Sequence, residues 1–323
     1  MMSTLQRNYR FKLAGGIPDR GFVLAQIGPE GTPTIALPNQ LQLPTEFLQG
    51  QGDRLQTMWF PSNPLLPPSA NDAIINLCTD AWTYGKSLSS MQKWLGRRAV
   101  VLNHPAAVAR IHDRAFLQGL SRIPNLRIPR WISFVPTKPD DFGKAMRRSG
   151  LTFPVRLHEA ANRQNSGGLI VRSLRDFRKA LEYDWPQRQF VLTEVDPQIL
   201  AVHARWRISF VGGAAEVISF DFSYSRGSAV RETLTLPACL NAVSAALLSM
   251  VPLDHWTAEF AVNADGKMVL LHLWAGLPED DTSDTKTNAY LRSKLAARFD
   301  ALLRGPDQWR MAAAKTNGKK ATP

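Results

Sequence analysis

A chain of 323 residues with 44% hydrophobic content is long enough for one large domain or two to three packed subdomains. With 39 Lys and Arg against 27 Asp and Glu it carries a formal charge of +12 and an isoelectric point near 10.0, which favours anionic partners: nucleotides, anionic small molecules, nucleic acid, acidic proteins or anionic lipid. A disulfide framework and a zinc finger are excluded, because Cys78 and Cys239 stand far apart in apolar surroundings and no CxxC or Cys/His metal spacing occurs.

In chain order, Met1 to Leu13 shows no apolar h-region, so no signal peptide is expected. Residues 22–36 predict two short strands across a Gly/Pro turn, and Leu55–Phe60 a further strand inside a segment rich in Pro, Gln and Gly. Ala73–Cys78 reads as a buried strand leading through Thr79-Asp80 to a helix over Ser87–Leu95. Ala99–Leu102 is another strand, ending at Asn103-His104-Pro105. Strands alternating with helices predict an α/β layer in this part of the chain. Apolar positions at 108, 111, 115, 116 and 120 predict one helix from Ala106 to Leu120. A proline-interrupted strand follows over Asn125–Phe134, then a helix over Asp141–Arg148, a strand over Phe153–Leu157, a polar loop from Glu159 to Gly168, a strand at Leu169–Val171 and a helix from Leu174 to Tyr183. Phe190–Glu194 is a strand, and Ala204–Phe210 pairs with Ala215–Phe222 across Gly212-Gly213. The apolar run Leu240–Leu253, broken by Asn241 and two serines, is too short to span a bilayer and reads as a buried helix over 238–250 ended by Pro252. No membrane association and a cytoplasmic location are expected. An acidic stretch, Glu279 to Thr287, precedes a helix over Asn288–Leu303 and a basic, disordered tail from Ala312 to Pro323.

The most informative segment is Trp256–Trp274. It predicts a β-hairpin around an Asp265-Gly266 turn, with Phe260 opposite Leu271 and Glu259 opposite His272. Alternation then puts Trp256, Ala258, Phe260, Val262, Val269, Leu271 and Leu273 on a core face, and Thr257, Glu259, His272 and Trp274 on the other. An acid across from a histidine and beside a tryptophan is a candidate site; a half-exposed sheet with one cross-strand pair is the bland alternative. Asn165-Ser-Gly-Gly168 can cradle phosphate through backbone N–H groups, or is a plain turn; it lacks the GK[ST] of a P-loop. Arg205 and Arg207 emerge on one face of a strand and suit a polyanion or a carboxylate, or form a solvated sheet face. Arg156 stands on a short strand on the glycine-loop side. Arg172, Arg175, Arg178 and Lys179 read as an exposed helix face with no aromatic platform, so nucleic acid is not the expected partner. His104 and His112 lack a third ligand for a metal; His158, His203 and His255 have no distinctive partner; and no GxSxG elbow occurs.

From Ala73 to Leu277 the order of motifs resembles the ATP-grasp superfamily, and within it the RimK-like ATP-grasp domains linked to tetratricopeptide proteins in bacteria. The residues that carry this are Ile75-Asn76-Leu77 with Thr79-Asp80, Val101–Arg110 with Asp113-Arg114, and Ile123–Pro129; then Phe153–Arg156 with Ser166-Gly167-Gly168, Val191–Asp196, Arg205-Trp206-Arg207 and the hairpin. The resemblance implies α/β and α+β architecture: an N-terminal α/β pre-ATP-grasp domain over 1–104, a first lobe with a lid loop over 105–188, a C-terminal lobe over 189–305 and a tail over 306–323. It implies ATP bound between the lobes and activation of a carboxylate as an acyl phosphate for attack by an amine or thiol. Arg114 and Arg156 would take the places of nucleotide-contacting basic residues, Asn165 to Gly168 the phosphate lid, and Glu194 to Asp196 the hinge against adenine and ribose. Arg205 and Arg207 would help with phosphate or acceptor.

The family's last hairpin offers an acid on one strand and Glu-x-Asn on the next, holding Mg²⁺. The matching positions here are Glu259, His272 and Trp274, of which one keeps a carboxylate. Mg²⁺ takes hard oxygen ligands, so imidazole suits it poorly and indole not at all. The expectation is a divergent protein that keeps the fold and binds a nucleotide or other anionic ligand with impaired ligase catalysis. The alternatives are an active ligase with Glu259 as remaining metal ligand, and a basic scaffold for an acidic protein partner.

Overall fold

The computed structural model describes residues 10–19, 24–27, 33–36, 41, 55–62, 66–69, 72–95, 100–160, 169–180, 188–195, 204–211, 217–223, 231–233, 238–262 and 267–276. The chain opens with β1 (Arg10–Gly16), then the antiparallel pair β2 (Leu24–Ile27) and β3 (Pro33–Ala36), then β4 (Leu55–Phe60) and β5 (Asp72–Asn76). Helix α1 (Ala81–Trp94) and β6 (Val100–Leu102) follow. Strands β4, β1, β5 and β6 lie in that order in one parallel sheet.

The sequence reading has no strand at β1, yet β1 lies inside this sheet. Lys12 hides it by breaking the apolar run. Its ammonium is neutralised in place by Asp72 on the neighbouring strand at 2.9 Å, with Arg10 on the same carboxylate at 3.2 Å. Burial alone would raise the Asp72 carboxyl. Hydrogen bonds from Lys12 and the Ser69 N–H, with the charges of Lys12 and Arg10, outweigh it and hold the group below the usual carboxylate range. Helix α1 starts at Ala81 rather than Ser87, because the buried Asp80 carboxylate caps it, accepting from the Thr83 N–H at 2.7 Å and the Thr83 hydroxyl at 3.0 Å. Tyr84, Leu88 and Met91 then turn to the core.

The single helix expected over 106–120 is two: α2 (Pro105–Arg110) and α3 (Arg114–Leu120). Asp113 divides them by capping α3 through the Ala115 N–H at 2.9 Å, and Ala115 is exposed while Leu117 is buried. The proline-interrupted strand is likewise two, β7 (Leu126–Arg127) and β8 (Trp131–Phe134), which join different sheets on either side of Pro129. Next come α4 (Asp140–Ser149), β9 (Val155–Glu159), β10 (Leu169–Val171), α5 (Leu174–Ala180) and β11 (Phe190–Glu194). The second sheet runs β10-β9-β11-β8, all antiparallel, over a core of Phe142, Met146, Leu157, Phe177 and Leu192.

The third sheet has the order β14-β13-β12-β15-β16-β7. Its strands are β12 (Ala204–Val211), β13 (Val217–Ser223), β14 (Arg231–Thr233), β15 (His255–Val262) and β16 (Met268–Ala275), with α6 (Ala238–Met250) between β14 and β15. β14 is a further strand that the sequence reading does not contain. Leu240, Val243 and Leu247 of α6 are buried in the same cluster as Phe210, Trp256 and Phe260. Phe210 stacks on Trp256 with ring centroids 3.7 Å apart, an arrangement worth about 1 kcal/mol beyond the area it buries. Among the described residues no helix is long and apolar enough to cross a membrane.

The hairpin differs from its expected register. Glu259 does pair with His272, but Phe260 pairs with Leu270 and not with Leu271, because a β-bulge interrupts the ladder between Glu259 and Phe260. The extra residue reverses the alternation beyond it. Met268 and Leu270 therefore join the main core with Ala258, Phe260 and Leu273, while Val269, assigned to the core face by simple alternation, clusters with Ala261 and Leu271 apart from it. The Asp265-Gly266 and Gly212-Gly213 turns, the loop Asn165–Gly168, Asp196, the stretch 279–287, the helix over 288–303 and the tail lie outside the described residues.

Asn103 ties the first sheet to the third. It sits just past β6 with φ 52°, a left-handed conformation that asparagine tolerates. Its Oδ1 accepts from the N–H groups of Asp254 and His255, both at 3.0 Å, and its Nδ2 donates to the His255 carbonyl at 2.7 Å. Its own N–H donates to Asp254 Oδ2 at 3.1 Å, and its carbonyl accepts from Asn76 Nδ2 at 2.8 Å. Asn103→Ala strands several buried groups at once. The expected loss, measured by denaturant unfolding, is on the order of 3–5 kcal/mol, since each orphaned buried group costs about 1–3 kcal/mol.

Beside this knot, His255 is completely buried, and among the described residues its ring nitrogens have no hydrogen-bond partner. Burial pushes the imidazole down to about 4 from an ordinary 6.5. The unfolded chain therefore takes up a proton at a higher pH than the folded one. The stability tied to this residue is whole above pH 6.5 and is lost as pH falls towards 4, by roughly 3 kcal/mol over the window. In unfolding curves collected across that range, His255→Leu should flatten this part of the pH dependence.

Candidate cleft between two facing sheets

Strand β9 turns Val155 and Leu157 into the core of its own sheet, and the alternation leaves Arg156 and His158 on the opposite face. That face meets β16. The Arg156 side chain is 8% exposed, and its Nη1 lies 3.0 Å from Nε2 of His272. A guanidinium can only donate, so in this contact Nε2 is the acceptor. The His158 ring stands edge-on to His272 at 5.8 Å, and Trp274 flanks His272 at 6.0 Å. Glu259, 1% exposed, is the cross-strand partner of His272, and Arg207 on β12 is in turn the register partner of Glu259. Arg205 stands opposite Ala261 on the same strand. One row across three strands thus reads Arg207, Glu259, His272, with Arg156 and His158 facing it from the second sheet.

Beside this row the cleft encloses about 60 Å³, lined among others by Trp82, His112, Trp131, His158, Thr193 and His272. Trp82 reaches it from α1, stacking against His112 at 4.6 Å and meeting Trp131 edge-on at 5.0 Å. The N-terminal α/β part therefore contributes, through helix α1, to the lining of a cleft formed by the other two sheets.

The other candidates from the sequence lie elsewhere or outside the described residues. Glu194, at the end of β11, accepts from the Arg130 N–H at 3.1 Å and from the guanidinium groups of Arg130 at 3.2 Å and Arg127 at 3.3 Å. Burial alone would raise its carboxyl. The Arg130 N–H and guanidinium, with the Arg127 charge, hold it below the usual range. Arg114 is exposed in the first turn of α3 and is not among the residues lining the cleft. Ser166, Gly167, Gly168 and Asp196 are not described. His104 caps α2, its Nδ1 accepting from the Ala106 N–H at 3.2 Å. Sequence reasoning passed over His158, Trp82 and Trp131. The period-two spacing of Arg156 and His158 was a signal for the first of these; nothing local points to the two tryptophans.

No protein-family model and no curated protein sequence matches the chain. Solved structures do. A RimK-domain ATP-grasp protein from Sphaerobacter thermophilus is 16% identical with a TM-score of 0.54, and the match covers 90% of this chain and 98% of that one. The D-alanine-D-alanine ligase of Coxiella burnetii is 11% identical over 76% of this chain and 73% of its own, with a TM-score of 0.48. N5-carboxyaminoimidazole synthase of Aspergillus clavatus, solved with ADP and 5-aminoimidazole ribonucleotide, is 13% identical over 83% and 70%, with a TM-score of 0.44. Identities this low speak to architecture and not to activity, and of these three the first matches best. The chain has the fold of that RimK-domain ATP-grasp protein.

Proposed function

We propose that the chain binds a nucleotide or another anionic small molecule in the cleft between β9 and β16, and that its carboxylate–amine ligase chemistry is impaired. The observation that supports this most is the 3.0 Å contact between Arg156 and His272. By the family resemblance His272 stands where an oxygen ligand for Mg²⁺ belongs. Here its Nε2 is engaged by a permanent cation. Indole at position 274 has no lone pair to offer a metal, and Mg²⁺ requires near-octahedral oxygen ligation. Among the described residues no three His, Cys, Asp or Glu side chains converge to hold an ion. The described residues therefore do not fit Mg²⁺. Without a metal, the negative charge that builds on a transferring phosphoryl group loses its main stabiliser.

A nucleotide fits this reading on one condition. The enclosed volume of about 60 Å³ is far below the roughly 300 Å³ at which pockets for drug-sized ligands begin, so a base enters by moving Trp82 or Trp131. Arg156 would then meet phosphate. An active ligase is the second reading, favoured by the retained, buried carboxylate of Glu259.

The test is binding and turnover on the full chain. ADP and ATP should raise the unfolding midpoint, adding about 2.7 kcal/mol at a hundred times the dissociation constant. They should also change tryptophan emission. ADP formation with Mg²⁺, carboxylates and amines should stay at the level of buffer alone. Multiple-turnover ADP release that Glu259→Ala abolishes would establish the active ligase instead.

A further inference from the structure

Strand β4 is the outer strand of the parallel sheet, with β1 on one side and, among the described residues, no strand on the other. We propose that this edge pairs antiparallel with β4 of a second copy of the chain, about a two-fold axis at Thr57, so that the two parallel sheets run on as one.

The first support is the direction of the backbone groups. The Phe60 carbonyl accepts from the Ile17 N–H at 2.8 Å, and Phe60 stands in register with Gly16. Phe60 therefore turns its N–H and C=O towards β1, and by the alternation of the ladder so do Met58 and Gln56. The C=O of Leu55, both groups of Thr57 and the N–H of Trp59 then point out of the sheet. The Trp59 carbonyl is taken by the Ser62 hydroxyl, which closes the row at that end. These open groups are symmetric about Thr57. In an antiparallel pair centred there, Thr57 exchanges both bonds with Thr57 of the second copy, and each Trp59 N–H meets a Leu55 carbonyl. A row that complements its own two-fold image is what a contact between identical subunits requires.

The second support is charge. Sheet edges are ordinarily guarded by lysine, proline or a bulge. Leu55–Phe60 contains no charged residue and no proline, and its register with β1 is unbroken. At a two-fold axis a side chain meets its own image. In a chain of net charge +12, an uncharged strand is where a second copy can approach without cations opposing one another. A threonine pair at the centre, with tryptophan against leucine on either side, makes favourable cross-strand contacts.

The third support is exposed apolar surface at the same edge. Trp59 is 43% exposed although its ring lies over Gly15. Ile17 and Leu66 are exposed as well. Ile17 is bonded to Phe60, and the Leu66 carbonyl accepts from Nε1 of Trp94, whose ring packs on Phe60 at 5.5 Å. Apolar groups gathered beside open backbone favour burial against another protein surface.

Sedimentation equilibrium of the full chain, over a wide range of concentration, reads its mass against the 36.0 kDa of one copy. The expected result is a reversible dimer. Thr57→Lys sets a cation against its own image and should weaken dimerisation about tenfold or more. Thr57→Pro removes an outward N–H, leaves the ladder to β1 alone and should act in the same direction. Thr57→Cys should cross-link the two copies on oxidation, because the paired Cα atoms would stand about 5.5 Å apart, within disulfide reach. If Thr57→Lys and Thr57→Pro fail to fold by circular dichroism, the Thr57→Cys cross-link carries the test. A monomer at every concentration gives the edge to the chain's own neighbouring residues or to a different protein, and overturns the proposal. A dimer that persists unweakened in folded Thr57→Lys, or in which Thr57→Cys does not cross-link, overturns β4 as the contact.

Discussion

The architecture depends on one asparagine. Asn103 gathers the backbone at the start of β15, the carboxylate of Asp254 and the side chain of Asn76 into one buried set of hydrogen bonds. The hairpin side of the cleft is placed relative to that knot. β15 starts from it, and β16 closes back on it through the Gly276 N–H to the His255 carbonyl at 2.9 Å, with the Thr257 hydroxyl bonded to the Gly276 carbonyl at 2.7 Å. The first sheet is held to the hairpin again where the Ala275 N–H meets the Thr79 carbonyl at 3.3 Å, one residue before the cap of the helix that carries Trp82. A local backbone requirement at one residue is thereby coupled to the distance between two sheets.

The cleft combines features that pull its chemistry in one direction. Among the described residues it brings together a buried guanidinium, an imidazole in contact with it and the carboxylate of Glu259, where the proposed reading finds no hard-oxygen cluster of the kind a magnesium ion needs. The aromatic side chains Trp82 and Trp131, in edge-on contact at 5.0 Å, line the remaining space. Under the proposed function, recognition would survive this better than phosphoryl transfer would. Holding an anion needs a fixed positive charge, while transfer needs stabilisation of charge that develops only in the transition state.

Much of this was legible in the sequence where local chemistry and tertiary structure agree. The strands β5, β9, β11 and β12 and the helices α4 and α6 follow from periodicity, whereas the pairing of Glu259 with His272 was expected from a two-residue turn that the register Val262–Met268 does not keep, the bulge restoring it. The misses have particular causes. β1 was obscured by Lys12, whose partner Asp72 is distant in sequence. The break between α2 and α3 lay in a capping aspartate that the apolar spacing alone ran through. The bulge in β16 leaves no mark in composition, because Leu270 and Leu271 are chemically alike and only the ladder decides which faces the core. His158, Trp82 and Trp131 belong to three separate elements, and only the packing of sheets brings them together.

That bulge also bears on how such a chain can change over time. Since the parity of the hairpin is reset between Glu259 and Phe260, the face carrying His272 is decided at the bulge and not at the distal turn. Insertions or deletions beyond Val262 and Met268 can alter the loop while Glu259 and His272 stay paired. The loss of one leucine at 270–271 would instead turn over part of the strand. Drift in the outer loop and constancy in the inner row are therefore compatible within a single hairpin.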